Sequence, residues 1–294
     1  MNRVRKQIHY SRAEKEQLTG YHIGVGVLDS GIFPHEDLKD QIRAFRDFTN
    51  KYQLPYDETG HGTHVCGILA GNGRVLHGKY KGMAPCCDLY VGKILDKKGE
   101  GSLKTLLRGL EWLLSIAESC NIRIINISVS SIASAKQEEQ KRLYDLFQYA
   151  YENNILIVTA AGNFGPGDNT VSRLGDTPYV ICVGCHDGDL ENGGLRCQDC
   201  SGRGPGENVW KKPDVVAPGT QIISCQAAYG KYVARSGTSM ATPIVSGLLT
   251  LACEKYPYLT AMQLKRKLII SATDLGESYL MQGAGMVDVE KLLS

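Results

Sequence analysis

The sequence predicts an α/β fold with three layers, α/β/α, around a mostly parallel central sheet. Two observations predict it. Short β-rich runs alternate with helical patterns almost to the end of the chain, the signature of repeated β-α-β units. The first of these runs is also near-continuously apolar, as a parallel strand buried on both faces is. With 294 residues, 43% hydrophobic and 22% charged, the chain has the composition of an ordinary globular protein. It reads as one domain over residues 19–294, preceded by an N-terminal extension over 1–18 that could serve as a short regulatory segment.

In chain order, residues 22–30 (HIGVGVLDS) form the first strand and residues 61–71 show helical spacing. Residues 88–95 (DLYVGKIL) are a strand. Residues 102–118 are a helix with Leu103, Leu106, Leu107, Leu110 and Leu114 on one stripe. The runs IRIINISV, ILIVTAAGN and YVICVGC are strands, with a helix over 138–153 between the first two. A hairpin follows over 222–235, then helices over 239–256 and 260–271. The Gly- and Pro-rich stretch 193–218 fits surface loops between elements of the same pattern. No internal repeat or low-complexity linker interrupts it.

A net charge of +2 gives no electrostatic reason to expect nucleic acid or an anionic membrane as partner. No apolar run reaches the roughly 18 residues of a membrane span. The basic, polar start MNRVRKQIHYSRAEKEQ lacks the apolar stretch of a secretory signal. A cytoplasmic protein is therefore expected, with secretion as the alternative if a leader has been removed. Most of the ten cysteines sit in apolar stretches, where a reduced thiol packs as a small hydrophobe, and no disulfide is expected.

Three segments place a reactive residue beside small neighbours at an element boundary. VLDSG puts Asp29 at the end of the first strand, HGTHVCG puts His61 at a helix start, and GTSMATP puts Ser239 at another. Open α/β sheets bind ligands at the carboxyl ends of their strands. Aspartate, histidine and serine on three such loops meet the needs of nucleophilic acyl transfer: the histidine takes the serine proton and the aspartate orients the imidazole.

The segments VLDSGI, GHGTHVCG, AAGN and SGTSMATP, in this order and spacing, resemble the signature segments of the subtilisin-like serine proteases. HEDL, GMAP, GLEW, INIS and VAPG match the family as well, so the likeness spans about residues 20–275. The resemblance implies a subtilisin-like fold and a serine endopeptidase acting on polypeptides, by general degradation or precursor processing. It makes Asp29 the orienting carboxylate, His61 the general base and Ser239 the nucleophile. Asn163 and the Ser239 backbone N–H become the oxyanion donors. It also puts substrate-binding positions at Leu103, Ser128, Val129, Ser130, Ala161 and Gly162. Ser130 stands where relatives often carry glycine.

Other features invite blander readings. His64, one turn after His61, is not read as a metal ligand, because Gly62 and Thr63 intervene where a metal-binding HEXXH motif would hold its carboxylate, and the resemblance implies a buried neighbour of the site. Cys182, Cys185, Cys197 and Cys200 have the spacing of a zinc ribbon. Residues three apart on a strand point to opposite faces, however, so no metal ligand is assigned. Cys66, in the His61 helix, reads as a mercurial-sensitive thiol or as a buried one. Relatives bind calcium through an aspartate at the position of Asp37, but loop 72–81 is short and carries Arg74, Lys79 and Lys81, so no cofactor is expected to be required. Two competing classes are an inactive peptide-binding protein and an acyl hydrolase. The latter lacks the G-x-S-x-G elbow usual for such enzymes.

Overall fold

The computed structural model describes residues 1–50, 52–129, 136–188, 196–205 and 210–294. Two short helices come first, α1 (Asn2–Gln7) and α2 (Ser11–Lys15). Seven strands make one sheet: β1 (Gly24–Asp29), β2 (Ile42–Asp47), β3 (Asp88–Lys93), β4 (Ile122–Ile127), β5 (Leu156–Ala160), β6 (Val180–Cys185) and β7 (Val215–Ala217). Their spatial order is β2-β3-β1-β4-β5-β6-β7, and every neighbouring pair is parallel. Strands β8 (Ile222–Cys225) and β9 (Tyr232–Arg235) form a separate antiparallel hairpin. The remaining helices are α3 (His61–Ala70), α4 (Leu103–Ile116), α5 (Gln137–Glu152), α6 (Thr238–Lys255), α7 (Ala261–Ser271), α8 (Tyr279–Gln282) and α9 (Val289–Leu292).

Side-chain alternation along the strands divides the core in two, since successive residues of a strand face opposite ways. Val25, Val27, Ile124, Leu156, Val158, Ile181 and Val183 face one side, against Ile68 and Leu69 of α3 and Ile244 and Leu248 of α6. Leu28, Ile125, Ile127 and Ile157 face the other, against Leu106 and Leu110 of α4 and Phe147 of α5. This arrangement is the three-layer α/β/α fold that the sequence predicts. The α4 stripe differs in one place: Leu113 is buried and Leu114 only partly so. Strand β2 (IRAFRD) escapes the sequence reading because it lies at the sheet edge, half-exposed, with charged residues among its apolar ones.

Residues 1–18 pack onto this body. Met1, Val4, Ile8, Tyr10 and Ala13 enter the larger core cluster. The Val289 N–H donates to the Ile8 carbonyl at 2.8 Å, and Arg5 donates to the Gly82 carbonyl at 2.7 Å. The Arg3 guanidinium reaches the Thr220 carbonyl.

The cysteines correct one expectation. Cys185 and Cys197 form a disulfide, with Cα atoms 5.8 Å apart, and the other eight cysteines are free. The pair meets because residues 197–201 fold back over the end of β6. There the Cys185 N–H donates to Ser201 Oγ at 3.0 Å and the Cys197 N–H to Thr220 Oγ1 at 2.9 Å. A fold-back of this kind leaves no mark on sequence spacing. Cys182 points to the opposite face, with Ala161 and Val171, and the Cys200 thiol donates to the Cys197 carbonyl. The four ribbon-spaced thiols therefore do not converge on one point.

Candidate active site

Asp29, fully buried, ends β1, and His61 opens α3 across from it. Gly62 permits this approach: a Cβ there would run into the Gly31 carbonyl and sit 3.2 Å from the Asp29 Cβ. His61 Nδ1 lies 2.7 Å from Asp29 Oδ1, which also accepts the Ser30 N–H at 2.7 Å. Donation from Nδ1–H fixes the neutral tautomer whose free lone pair is on Nε2. Asp29 Oδ2 is buried and has no hydrogen-bond donor among the described residues. A carboxylate so poorly compensated is stabilised most when the imidazole beside it becomes charged. Burial disfavours the imidazolium, but the charge and hydrogen bond of Asp29 outweigh this and hold the His61 pKa above its ordinary 6.5.

Asp57 and Lys93, which the sequence reading passed over, build this corner. One Asp57 oxygen accepts the Ser30 hydroxyl at 2.8 Å and the Gly60 N–H at 2.9 Å; the other accepts the Thr63 N–H at 2.8 Å and its hydroxyl at 2.6 Å. The first turn of α3 is thereby capped by a buried carboxylate, which also suits the positive end of the helix. Lys93 pairs in register with Asp29 on the neighbouring strand. Its buried ammonium donates to the carbonyls of Ser30 (2.7 Å) and Leu95 (2.8 Å) and pairs with Glu58 at 2.7 Å. Asp57 could have been suspected from its place four residues before His61. Lys93 reads as an ordinary charged strand end.

The third segment starts α6. Gly237, at φ 138°, takes a conformation that side-chain-bearing residues rarely adopt and turns the chain into the helix. Ser239 lies in the first turn, where backbone N–H groups have no carbonyl four residues earlier in the helix to donate to. Pro243, four residues on, has no N–H to offer the Ser239 carbonyl. Asn163 Oδ1 accepts both the N–H and the hydroxyl of Thr238 at 3.1 Å. With the amide oxygen committed, the exposed side chain presents Nδ2 as its free donor. The Ser239 hydroxyl donates to the Ser128 carbonyl at 2.9 Å, and among the described residues no hydrogen bond joins it to His61. Catalytic hydrogen bonds are often loose before substrate arrives.

Of the expected substrate edges, Ser128 is tied to Ser239 by that bond. Val129 and Leu103 are buried in the same core cluster on the α4 side of the sheet. Ala161 is buried, and Gly162, at φ 95°, leads directly into Asn163. Ser130 lies outside the described residues. His64 Nε2 sits 3.0 Å from the carbonyls of both Ile222 and Val233, pinning the β8–β9 hairpin to α3. Burial pulls its pKa down to about 4, so it stays neutral. Cys66 is fully buried and burial pushes its thiol pKa well up, so of its two readings the buried core thiol is the one the surroundings favour.

Asp37 does not suit calcium. Its Oδ1 accepts the Val75 N–H at 2.9 Å and its Oδ2 the Tyr232 hydroxyl at 2.6 Å. Its nearest ligand-type neighbours are His35 and Cys225, nitrogen and sulfur donors where calcium wants oxygens. His35 is committed as well, since its Nδ1 accepts the Asp37 N–H at 3.1 Å.

The subtilase family model (peptidase S8) matches residues 20–287. The serine protease AprX of Bacillus subtilis (strain 168) is 35% identical, across 94% of this chain and 67% of the relative. Subtilisin DY of Bacillus licheniformis is 32% identical, across 95% of this chain and 94% of the relative. Among solved structures, sphericase superposes with a TM-score of 0.80 at 30% identity, covering 92% of each chain. With 268 residues under the family model and two such relatives along nearly the whole length, the chain belongs to the subtilase family of serine endopeptidases.

Proposed function

We propose that Asp29, His61, Ser239 and Asn163 carry out peptide-bond hydrolysis in this endopeptidase. The 2.7 Å hydrogen bond between Asp29 and His61 is the observation that carries the reading, because it leaves Nε2 as the base. Ser239 Oγ attacks the scissile carbonyl as His61 Nε2 takes its proton. The oxygen that becomes negative meets Asn163 Nδ2 and the Ser239 N–H at the positive end of α6. His61 then protonates the leaving amine, and water releases the acyl group from Ser239 by the same path. The substrate's acyl side pairs as an added strand along Ser128–Ser130, with Leu103, Ala161 and Gly162 lining its subsites.

The chemistry needs no metal from this chain's side, since base, nucleophile and oxyanion donors are all protein groups. Asp37 acts instead as a structural peg joining loop 72–75 to β9 through Val75 and Tyr232. The extension 1–18 acts as a brace, not a plug, because its bonds run to Gly82, Thr220 and Val289. No helix among the described residues is long and apolar enough to cross a membrane. A cytoplasmic setting is supported by eight free cysteines, one of them the exposed Cys86. The Cys185–Cys197 disulfide favours the secreted alternative, and finding the protein in the culture medium would decide for it. The near-neutral charge supports polypeptides, not nucleic acid or anionic membranes, as partners.

Digestion of an unfolded protein, read by mass spectrometry, tests the proposal. Internal cleavages that vanish in His61→Ala support it. Hydrolysis of simple esters alone would favour an acyl hydrolase, and neither activity would favour an inactive peptide binder.

A further inference from the structure

We infer that Arg235 is a specificity-determining residue that binds a carboxylate carried by the leaving segment of the substrate, the residues after the scissile bond. The inference rests on Ser239 and His61 acting as proposed above. Arg235 closes β9, four residues before Ser239. Its Nη2 donates to the Thr59 carbonyl at 2.9 Å and lies 3.5 Å from where a Cβ on Gly60 would stand. The guanidinium is thus laid over the two residues that lead into His61.

The chemistry fixes which part of the substrate passes this point. The acyl side lies with Ser128, whose carbonyl holds the Ser239 hydroxyl, and the carbonyl oxygen faces Asn163. The leaving amine must sit at His61 Nε2, which protonates it. The chain beyond that nitrogen therefore crosses the start of α3, over Thr59 and Gly60, toward the β8–β9 hairpin. Ala227 of that hairpin stands 3.4 Å from the same Gly60 point. Tyr229 packs edge-on against Phe33 at 4.9 Å, walling the region with aromatic surface.

The most deeply buried cations among the described residues are paired with carboxylates, and Arg235 is not. Lys93 has Glu58 at 2.7 Å, and Lys212 has Asp214 at 2.6 Å. Among the described residues no carboxylate pairs with Arg235, and its Nε is buried without an acceptor. The Thr59 carbonyl uses one of five N–H donors. A planar guanidinium held through one Nη2 hydrogen, with donors left over beside the reacting bond, matches a carboxylate. Two sources offer that chemistry: an Asp or Glu side chain in the first leaving residues, or the free C-terminus of a short leaving segment.

The test compares kcat/KM for fluorogenic peptides of one acyl half and varied leaving halves: Asp, Ala or Lys at the first two positions, each with a free or amidated C-terminus. Wild type should favour carboxylate over neutral leaving halves by about 10- to 100-fold, as a charge-assisted contact does. The ratio should fall toward 1 in Arg235→Gln, persist in part in Arg235→Lys, and turn in favour of lysine in Arg235→Glu. Preference for Asp with amidated ends identifies the side chain as the source; preference for free ends alone identifies the C-terminus. A wild-type ratio near 1 with neutral peptides cleaved, or a ratio unchanged in Arg235→Gln, overturns the inference and leaves the protease assignment standing. Cleavage of no peptide by folded wild type overturns the proposed function itself. The wild-type ratio at low against 1 M salt requires no variant to fold, and a ratio indifferent to salt likewise counts against a charge contact.

Discussion

The two halves of the site are built in opposite ways. The His61 half is a buried, charged network: Asp29 on the imidazole, Asp57 under the first turn of α3, and Lys93 between the Ser30 carbonyl and Glu58. The Ser239 half is neutral and partly exposed, with Asn163 held through its oxygen and the serine hydroxyl resting on Ser128. The first half is finished before substrate arrives. In the proposed mechanism the second keeps its donors, Asn163 Nδ2 and the first-turn N–H of Ser239, for a charge that appears only during reaction. The contrast separates stability from turnover: damage to the His61 half should cost both, and damage to the Ser239 half turnover alone.

That separation can be broken from several directions. The largest effect is expected from Ser239→Ala, which should lower kcat on the order of 10^6-fold, a magnitude carried over from subtilisin, while leaving the melting temperature nearly unchanged. Asn163→Ala should lower kcat about 100- to 1000-fold with KM little altered, again on the subtilisin scale; an equal loss spread into KM would mean a ground-state contact instead. Asp57→Ala orphans the Ser30 hydroxyl, two N–H groups and the Thr63 hydroxyl. It should destabilise the fold by about 2–4 kcal/mol, readable as a fall in melting temperature, with activity falling too. Removal of the disulfide by Cys185→Ser with Cys197→Ser should cost about 2–3 kcal/mol for a loop of this length and leave kcat within a few-fold. Thiol titration of denatured, unreduced protein should find eight thiols, not ten.

The pH profile sharpens the comparison most gently. The His61 pKa is raised above 6.5, so the imidazolium is favoured in the folded state. Its stabilisation is present at low pH and lost as pH rises through the folded value. Activity runs the other way, since the base must be neutral. The acid limb of kcat/KM should therefore titrate above pH 6.5, not below it. Asp29→Asn removes the charge that raises the pKa, so any residual activity should titrate lower.

What the sequence disclosed follows the same division. Asp29, His61, Asn163 and Ser239 were legible because each sits in a short local motif whose glycines and small residues have local reasons. The main strands and α6 were legible because burial writes itself as apolar runs. Lys93 was not, because a lysine ending a strand looks solvated until the carbonyls of Ser30 and Leu95 and the Glu58 carboxylate close around it. The Cys185–Cys197 pair was not, because it depends on residues 197–201 folding back onto β6. The N-terminal helices hid their few buried residues, such as Val4 and Ile8, among charged ones. Nothing local in the sequence sets Arg235 apart, because its position over Thr59 and Gly60 depends on the hairpin packing against the start of α3.

The most direct test of the central assignment is covalent labelling of the native protein with a fluorophosphonate, read by intact mass. Wild type should gain one adduct, and Ser239→Ala, equally folded, should gain none. An adduct retained in Ser239→Ala, or none on folded wild type, would contradict an activated Ser239.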